Sequence, residues 1–396
     1  MQVLLLTQVL PYPPDSGPKV KTWNVIKYLA QNHEVTLVSF VRGDQSAEVE
    51  KLREYCTAVH TVPMERNVVL DGLAMARSFL TGKPWMMVRD DRKAMRELID
   101  RLAAEKQFDI VHADQLNMGQ FALRVPGART VMDAHNALWL LYKRLWETMG
   151  GGVRKVLLGR DWKLLKTYEG WICREFDAVL AVSDEDKLAL EEAMGVDESD
   201  ICVIPIAVDT DEEAYVERNP EADHILHIGT MFWPPNIDGV TWFLDEIYPL
   251  IRVERLDAVF DLVGSRPPEA LVELGAQDAG INVTGYVEDP AEFYTNTGVM
   301  IVPLRAGGGM RVKILNALSQ GLPLVSTSLG AEGIGVVSGE HLLLADQPAD
   351  FAQAVLQLLE DKTLATTLGQ NGRNLIKERY DYRTACQPLD QIYLVD

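Results

Sequence analysis

Short, almost unbroken apolar runs recur along this chain, each followed by a loop rich in glycine, proline or polar residues and then by a segment of helical spacing. One series lies at 3–6, 35–40, 59–62, 110–112, 130–132, 178–182 and 201–204. A second lies at 224–229, 259–264, 281–285, 298–303, 323–326 and 341–344. Strands that are apolar throughout, rather than alternating, are those buried on both faces, and that requires helices on both sides of a parallel sheet. Strand, loop, helix, strand is the βαβ unit. The pattern therefore predicts an α/β chain of two doubly wound, Rossmann-like domains. A helix-rich insertion spans 68–102 and an amphipathic helix spans 240–251. At 396 residues the chain is too long for one ordinary core, which agrees with two domains joined near 205–210.

Doubly wound sheets bind ligands outside the carboxyl ends of their strands. The most telling such loop is VPLRAGGGMRVK, where Gly307, Gly308 and Gly309 separate a strand from a helix expected to begin near Gly309. Three missing side chains let backbone N–H groups approach an anion, and the helix N-terminus adds its positive end. Arg311 and Lys313 stand in the first turn, where the helix dipole disfavours cations. A phosphate-bearing ligand is the expectation, and Met310 belongs to the same loop. On the glycines alone, an ordinary strand–helix turn with solvated cations is an equal alternative.

Three more loops of the second half end a strand on glycine. They are Gly229-Thr230 with Asn236 further on, Gly264 with Arg266, and Gly285-Tyr286-Val287. In the first half the candidates are Gly17 in a proline-rich turn and two strand ends that pair a His with an Asp, His112/Asp114 and Asp133/His135, the latter followed by Asn136. Such pairs can bind sugar hydroxyls or handle a proton. No loop is a G-x-G-x-x-G or Walker sequence, which excludes a typical nicotinamide dehydrogenase or P-loop NTPase.

The net charge of −20 argues against an extended nucleic-acid surface. No apolar run reaches the roughly 20 residues that span a bilayer. The first residues read as a strand rather than a signal peptide. Four scattered cysteines, Cys56, Cys173, Cys202 and Cys386, read as reduced thiols of a cytoplasmic protein. Residues 143–175 carry eight Lys/Arg against four Asp/Glu, interleaved with apolar side chains, and so read either as a basic surface resting on anionic lipid or as a helix packed on the sheet. Asp209-Thr210-Asp211 reads as a solvated charge run in the linker.

The order of the motifs PYPPDSGPKVKTWN, FDIVHADQ, VMDAHNALW, FDAVLAVSDEDK, HIGTMFWPPNIDGVTWF, FDLVGSRPP, INVTGYVEDP and VPLRAGGGMRVKILNALSQGLPLVSTSLGAEGI resembles that of the retaining glycosyltransferases of family 4, also called group 1. The loop resembles a subgroup with G-G-G-x-R-x-K. The resemblance covers nearly the whole chain and implies the GT-B fold, with the two domains facing a central cleft. Residues 1–205 would bind the acceptor, 206–379 the nucleotide sugar, and a terminal helix at 380–396 would pack back onto the first domain. The implied reaction moves a sugar from a nucleotide diphosphate sugar to a hydroxyl of a carbohydrate, lipid-linked or small-molecule acceptor, with retained configuration and without metal or other cofactor. By resemblance, His135, Asp133, Asn136 and Gly17 serve the reacting sugar. Gly229, Thr230, Asn236, Gly264, Arg266, Tyr286, Val287, Gly307, Gly308, Gly309, Met310, Arg311, Lys313 and Asn316 serve the nucleotide sugar. The family has an acid where this chain has Asn316, so the donor's ribose would meet a neutral amide, and restoring Glu there should tighten binding or leave it unchanged. Two other readings stay open: another GT-B enzyme such as a sugar-nucleotide epimerase, and a degenerate homologue that binds without turnover.

Overall fold

The computed structural model describes residues 1–307 and 309–394. The chain divides into two compact units, one formed by Met1–Ala207 with Ala385–Asp396 and the other by Val208–Thr384. The division falls between 207 and 208, ahead of the second apolar series, which begins at 224.

The first unit holds seven strands: β1 (Gln2–Thr7), β2 (Glu34–Val41), β3 (Ala58–Pro63), β4 (Ile110–Asp114), β5 (Arg129–Asp133), β6 (Ala178–Ala181) and β7 (Cys202–Val203). Their order is β3-β2-β1-β4-β5-β6-β7, and every neighbouring pair is parallel. The chain winds outward from β1 to β3, then returns beside β1 and winds the other way. The order therefore reverses between β1 and β4. Leu4, Leu6, Val111, Ala113, Met132 and Phe121 belong to the core on one side of this sheet.

The second unit holds β8 (His224–Ile228), β9 (Phe260–Val263), β10 (Ile281–Gly285), β11 (Thr297–Val302), β12 (Leu324–Ser326) and β13 (Leu343–Leu344), in the order β10-β9-β8-β11-β12-β13 and again parallel throughout. Its reversal lies between β8 and β11. Phe243, Phe260 and Phe351 centre its core, with ring centroids of the first two 4.9 Å apart.

Several boundaries differ from the sequence expectation. The helix after β1 runs Gly17–Leu29, so Gly17 is its first residue and not part of a free loop. The helix expected over 240–251 begins earlier, at Pro234, and continues as Pro234–Trp242, a π segment Phe243–Ile247, and Tyr248–Glu254. Pro249 has no N–H to donate, and the ladder widens just before it. The helix after the glycine loop begins at Val312, not near Gly309. The C-terminal tail is two short helices, Tyr382–Ala385 and Pro388–Ile392, rather than one. The linker acids are tied down and not merely solvated: Thr210 donates to Asp381 at 2.6 Å, and Arg383 reaches Asp211 at 2.6 Å.

Helix Leu138–Thr148 starts from Ala137, which has no capping side chain. Two acids from other helices serve instead. Glu169 accepts from the Leu138 and Trp139 amides at 3.0 Å each, and Asp186 accepts from the Ala137 amide at 2.7 Å. These contacts satisfy the amides that a helix start leaves unpaired. They also fix the segment leaving β5, the strand that delivers Asp133 and His135.

Candidate functional site

The two reversals carry two different clusters. In the first unit, β4 brings His112 and Asp114, β5 brings Asp133 and the loop residue His135, and the helix after β1 brings Lys21 and Thr22. Lys21 is 1% exposed, and its ammonium donates to Asp133 Oδ1. His135 Nε2 lies 2.9 Å from Asp114 Oδ1, and the Thr22 hydroxyl bonds the same carboxylate at 2.9 Å. The carboxylate can only accept, so Nε2 of His135 carries the proton. In the neutral ring that leaves Nδ1 as a buried acceptor with no hydrogen-bond partner among the described residues. His112 Nε2 lies 3.5 Å from Asp133 Oδ2, an electrostatic contact and too long for a strong hydrogen bond. Its Nδ1 shares a 2.6 Å hydrogen bond with the Tyr393 hydroxyl, which comes from the end of the chain.

Burial is the largest single influence and would raise the Asp133 carboxyl, but the Lys21 ammonium together with His112 and His135 outweighs it and holds the group well below the usual carboxylate range. Burial, with the Asp133 charge beside it, pushes the Tyr393 phenol well above its ordinary value. One donor atom each from Asp114, Asp133 and His135 lies within 4.8 Å of the others, a set that could hold a cation. Lys21 already places a positive charge against Asp133. Gln115, directly after β4, has φ 74°, and Arg266, after β9, has φ 57°. Among the described residues these are the non-glycine positions in the left-handed region. Both stand at strand carboxyl ends, where strain collects at functional loops.

In the second unit the β8–β11 reversal brings together Gly229, Asn236 and Lys313. Lys313 is half-buried and donates to a neutral amide, Asn236 Oδ1, at 3.1 Å. A Cβ on Gly229 would stand 2.5 Å from the Lys313 ammonium nitrogen, so glycine is what lets the cation approach the strand end. A Cβ on Gly264 would stand 1.7 Å from the Gly229 carbonyl oxygen, so the two strand-end loops also depend on glycine to pass each other. Burial, and then the neighbouring Arg311, pull the Lys313 ammonium down to about 7. His227, buried below them, is likewise held well below its ordinary value by burial and by Lys313. Arg311 caps the helix rather than sitting in its first turn, and it donates to the Gly309 carbonyl at 2.7 Å. Gly307 and Gly309 have φ 121° and 77°.

The remaining expected residues are placed less uniformly. Asn236 is in the first turn of its helix and bonds the Thr230 carbonyl at 2.9 Å. Met310 is buried. Arg266 stacks over the Phe232 ring at 5.3 Å. Tyr286 and Val287 follow β10, an edge strand two positions from the reversal. Asn136 is half-buried beside His135. Gly308 lies outside the described residues. Asn316 donates to the Glu213 carboxylate at 2.9 Å.

Sequence reasoning missed Lys21, Thr22, Tyr393, His227 and Glu213. Lys21 had one signal, a lysine one turn into a helix that follows the first strand. Tyr393 had none, because its contact spans 281 positions.

The comparisons with known proteins agree with this geometry. The model for glycosyl transferases group 1 matches residues 222–361, and that for glycosyltransferase family 4 matches residues 16–212. A Klebsiella pneumoniae protein described as an uncharacterized 44.6 kDa protein in the cps region is 22% identical over 396 residues, covering 96% of each chain. The Staphylococcus aureus capsular polysaccharide biosynthesis glycosyltransferase CapM is 27% identical over 120 residues, 30% of this chain and 31% of that one. Among solved structures, Anabaena HepE in complex with UDP and glucose matches with a TM-score of 0.66 at 14% identity, over 99% of both chains. Two parallel Rossmann-like sheets of this kind define a GT-B glycosyltransferase. The chain belongs to the group 1 glycosyltransferases, family 4.

The Lys21–Asp133 pair gives a direct test. Lys21→Met would leave Asp133 charged, buried and without its partner, at a cost of about 3–5 kcal/mol. Denaturant unfolding should show a loss of that order, and a change below ~1 kcal/mol would mean that Asp133 is already compensated. The sign with pH follows from the depressed carboxyl. The pair's contribution is intact above the unfolded value near 4 and is lost as pH falls towards the folded one.

Proposed function

We propose that this enzyme transfers a sugar, with retained configuration, from a nucleoside diphosphate sugar to an acceptor hydroxyl in polysaccharide or glycoconjugate assembly. In the reaction the bond from the anomeric carbon to the diphosphate oxygen breaks, its electron pair leaving with the phosphate. A bond to the acceptor oxygen forms, and the acceptor proton passes to the leaving phosphate on the same face. The observation that carries the reading is Lys313, a half-buried lysine with a neutral amide partner and a lowered ionisation, beside Arg311 and a glycine loop. Charge that develops on a leaving diphosphate is stabilised by donors already in place. In the first unit, the unpartnered Nδ1 of His135 is suited to accept from a hydroxyl of the reacting sugar. HepE's complex with UDP and glucose and CapM's role in capsular polysaccharide support donor and pathway of this class.

Calorimetry tests the site through proton linkage. Lys313 titrates at about 7 without ligand, and an anion beside it raises that value. At pH 8 binding should therefore take up close to one proton, and near pH 6 almost none. UDP-glucose is a suitable probe, because its diphosphate has no ionisation in this range. Titration in buffers of different ionisation enthalpy reads the uptake. Affinity should weaken as pH rises above 7, and Lys313→Met should abolish both effects. Unchanged affinity and no uptake would place the diphosphate elsewhere, and donor binding without turnover on any acceptor would favour the degenerate-homologue reading.

The same cations make a metal unnecessary in this proposal. Chelator should leave the transfer rate unchanged. A loss restored by magnesium or manganese would overturn the claim, and Asp114, Asp133 and His135 would be the first place to look for the ion.

We also propose that the first unit rests on an anionic membrane surface. No helix among the described residues is long and apolar enough to cross a membrane. Helix Val68–Thr81 nevertheless exposes Val68, Val69, Leu73, Phe79 and Leu80, the first and last at 89% and 88%. Arg160 bonds the Ser78 carbonyl at 2.8 Å and stacks on Phe79 at 4.1 Å, which ties this helix to Val153–Glu175 with its exposed Val153 and Val156. Arg154 and Lys155 add positive charge beside these apolar side chains. That combination suits a lipid surface. The enzyme should sediment with vesicles containing phosphatidylglycerol and less with phosphatidylcholine alone, and Val69→Asp with Leu80→Asp should release it. Equal sedimentation of the double variant would remove this surface from the proposal.

A further inference from the structure

The helix Val312–Ser319 begins at the cations just described, and its next residues on the same face lead to an acid from another part of the unit. Lys313, Asn316 and Gln320 are three and four residues apart, which places them one above another on a single face. Asn316 Nδ2 donates to Glu213 Oε1 at 2.9 Å, and Gln320 Nε2 donates to Glu213 Oε2 at 2.7 Å. The Ser319 hydroxyl donates to the Glu213 carbonyl at 2.8 Å. Glu213 is thus held by Asn316 and Ser319 of the helix and by Gln320 just past its end, although it belongs to the segment that opens the second unit. An ionised carboxylate has about four lone-pair sites, and the two amides use two. Burial holds the Glu213 carboxyl above its ordinary value, with the Gln320 hydrogen bond opposing it only in part. The nearby Tyr294 phenol is pushed up to about 12 by burial and then by the charge on Glu213.

We infer that Glu213, held by Asn316 and Gln320, is the anionic acceptor for the 2′- and 3′-hydroxyls of the donor's ribose. This rests on the diphosphate site proposed at Arg311 and Lys313. The position along the helix fits, since Asn316 stands about one turn beyond Lys313, the direction in which a nucleoside continues from its phosphates. The acid is therefore not missing from this chain but is supplied from a different segment, and Asn316 is the residue that orients it. On this inference the ribose acceptor is Glu213 rather than Asn316, and Asn316→Glu takes the opposite sign. In the single variant two carboxylates would meet in one half-buried site, and repulsion should weaken nucleotide binding.

Ribose selectivity tests the inference with a readout that a purely structural role would leave alone. Affinities are measured by calorimetry for UDP, GDP and ADP, each against its 2′-deoxy form. The wild type should favour the ribonucleotide of its preferred base about tenfold or more, as expected for loss of one charge-assisted hydrogen bond. Glu213→Gln should cut that preference below about threefold while changing affinity for the 2′-deoxy form little. The exchange Glu213→Gln with Asn316→Glu, which returns the acid to the helix, should restore the preference. If Glu213→Gln fails to fold cooperatively, Glu213→Asp keeps the charge, withdraws it by one methylene and should show the same loss of selectivity. A wild type that binds a nucleotide with no ribose preference, or variants with undiminished preference, overturns the role of Glu213 alone. A wild type that binds none of the three overturns the diphosphate site together with it.

Discussion

The unit that carries the glycine loop depends on one unusual arrangement, a half-buried lysine ammonium set close against Gly229 with a neutral amide as its hydrogen-bond partner. A buried cation is costly unless something compensates it. The first unit shows the ordinary solution. Lys21, more deeply buried and one turn into a helix at its sheet's reversal, is matched by the Asp133 carboxylate. Lys313, the second residue of its helix, also stands at a reversal and donates to Asn236. The two lysines differ in what balances them, and that difference separates their tasks. Lys21 belongs to a closed network that sets the ionisation of Asp133 and, through it, the field at His112 and His135. Lys313 has an amide and the neighbouring Arg311 about it instead of a carboxylate, and in the proposed function the ligand's diphosphate supplies the opposite charge.

Much of the fold was legible because its signal is local. Strands buried on both faces are written as apolar runs, and all thirteen strands fall on such runs or overlap them. The reversal points were legible in principle too, since strand ends followed by glycine or by His and Asp mark the carboxyl edge. Boundaries of helices were less legible. Gly17 and Asn236 were read as loop residues, because proline and glycine normally punctuate loops, yet proline in a first turn is compatible with a helix. The glycine loop misled in the other direction, since Arg311 turns back onto Gly309 before the helix can start.

The site was half legible, and the missing half is long-range. His135 and Asp133 could be picked from a strand end, and Lys313 from a glycine loop. Lys21, Tyr393 and Glu213 could not, because their partners lie 112, 281 and 103 positions away. Composition treats a buried lysine and a surface lysine alike. It also treats a tail tyrosine as a packing residue, whereas this one brings the end of the chain to the ring of His112. The linker acids were read as solvated charge, and the structure pairs Asp211 with Arg383 and engages Glu213 with the helix of Lys313.

Glu213 also bears on why the cations of the second unit stay usable. A carboxylate placed directly beside Lys313 would neutralise it and compete with a ligand's phosphate, as Asp133 does for Lys21. Set one turn further along the same helix, and held by Asn316 and Gln320, the acid leaves Lys313 to the anion and offers its own lone pairs to neutral hydroxyls. One helix face thus presents opposite preferences in sequence, an anion site at its start and a hydroxyl acceptor a turn later. That order suits a ligand with a charged end joined to a polyhydroxyl body. Interactions fixed before the ligand arrives need little reorganisation when charge builds on a leaving phosphate, and the acceleration comes from that preparation rather than from tight binding alone. The depressed ionisation of Lys313 is the visible cost of such preparation. In the proposed function it is carried by the unliganded protein and recovered when the diphosphate binds.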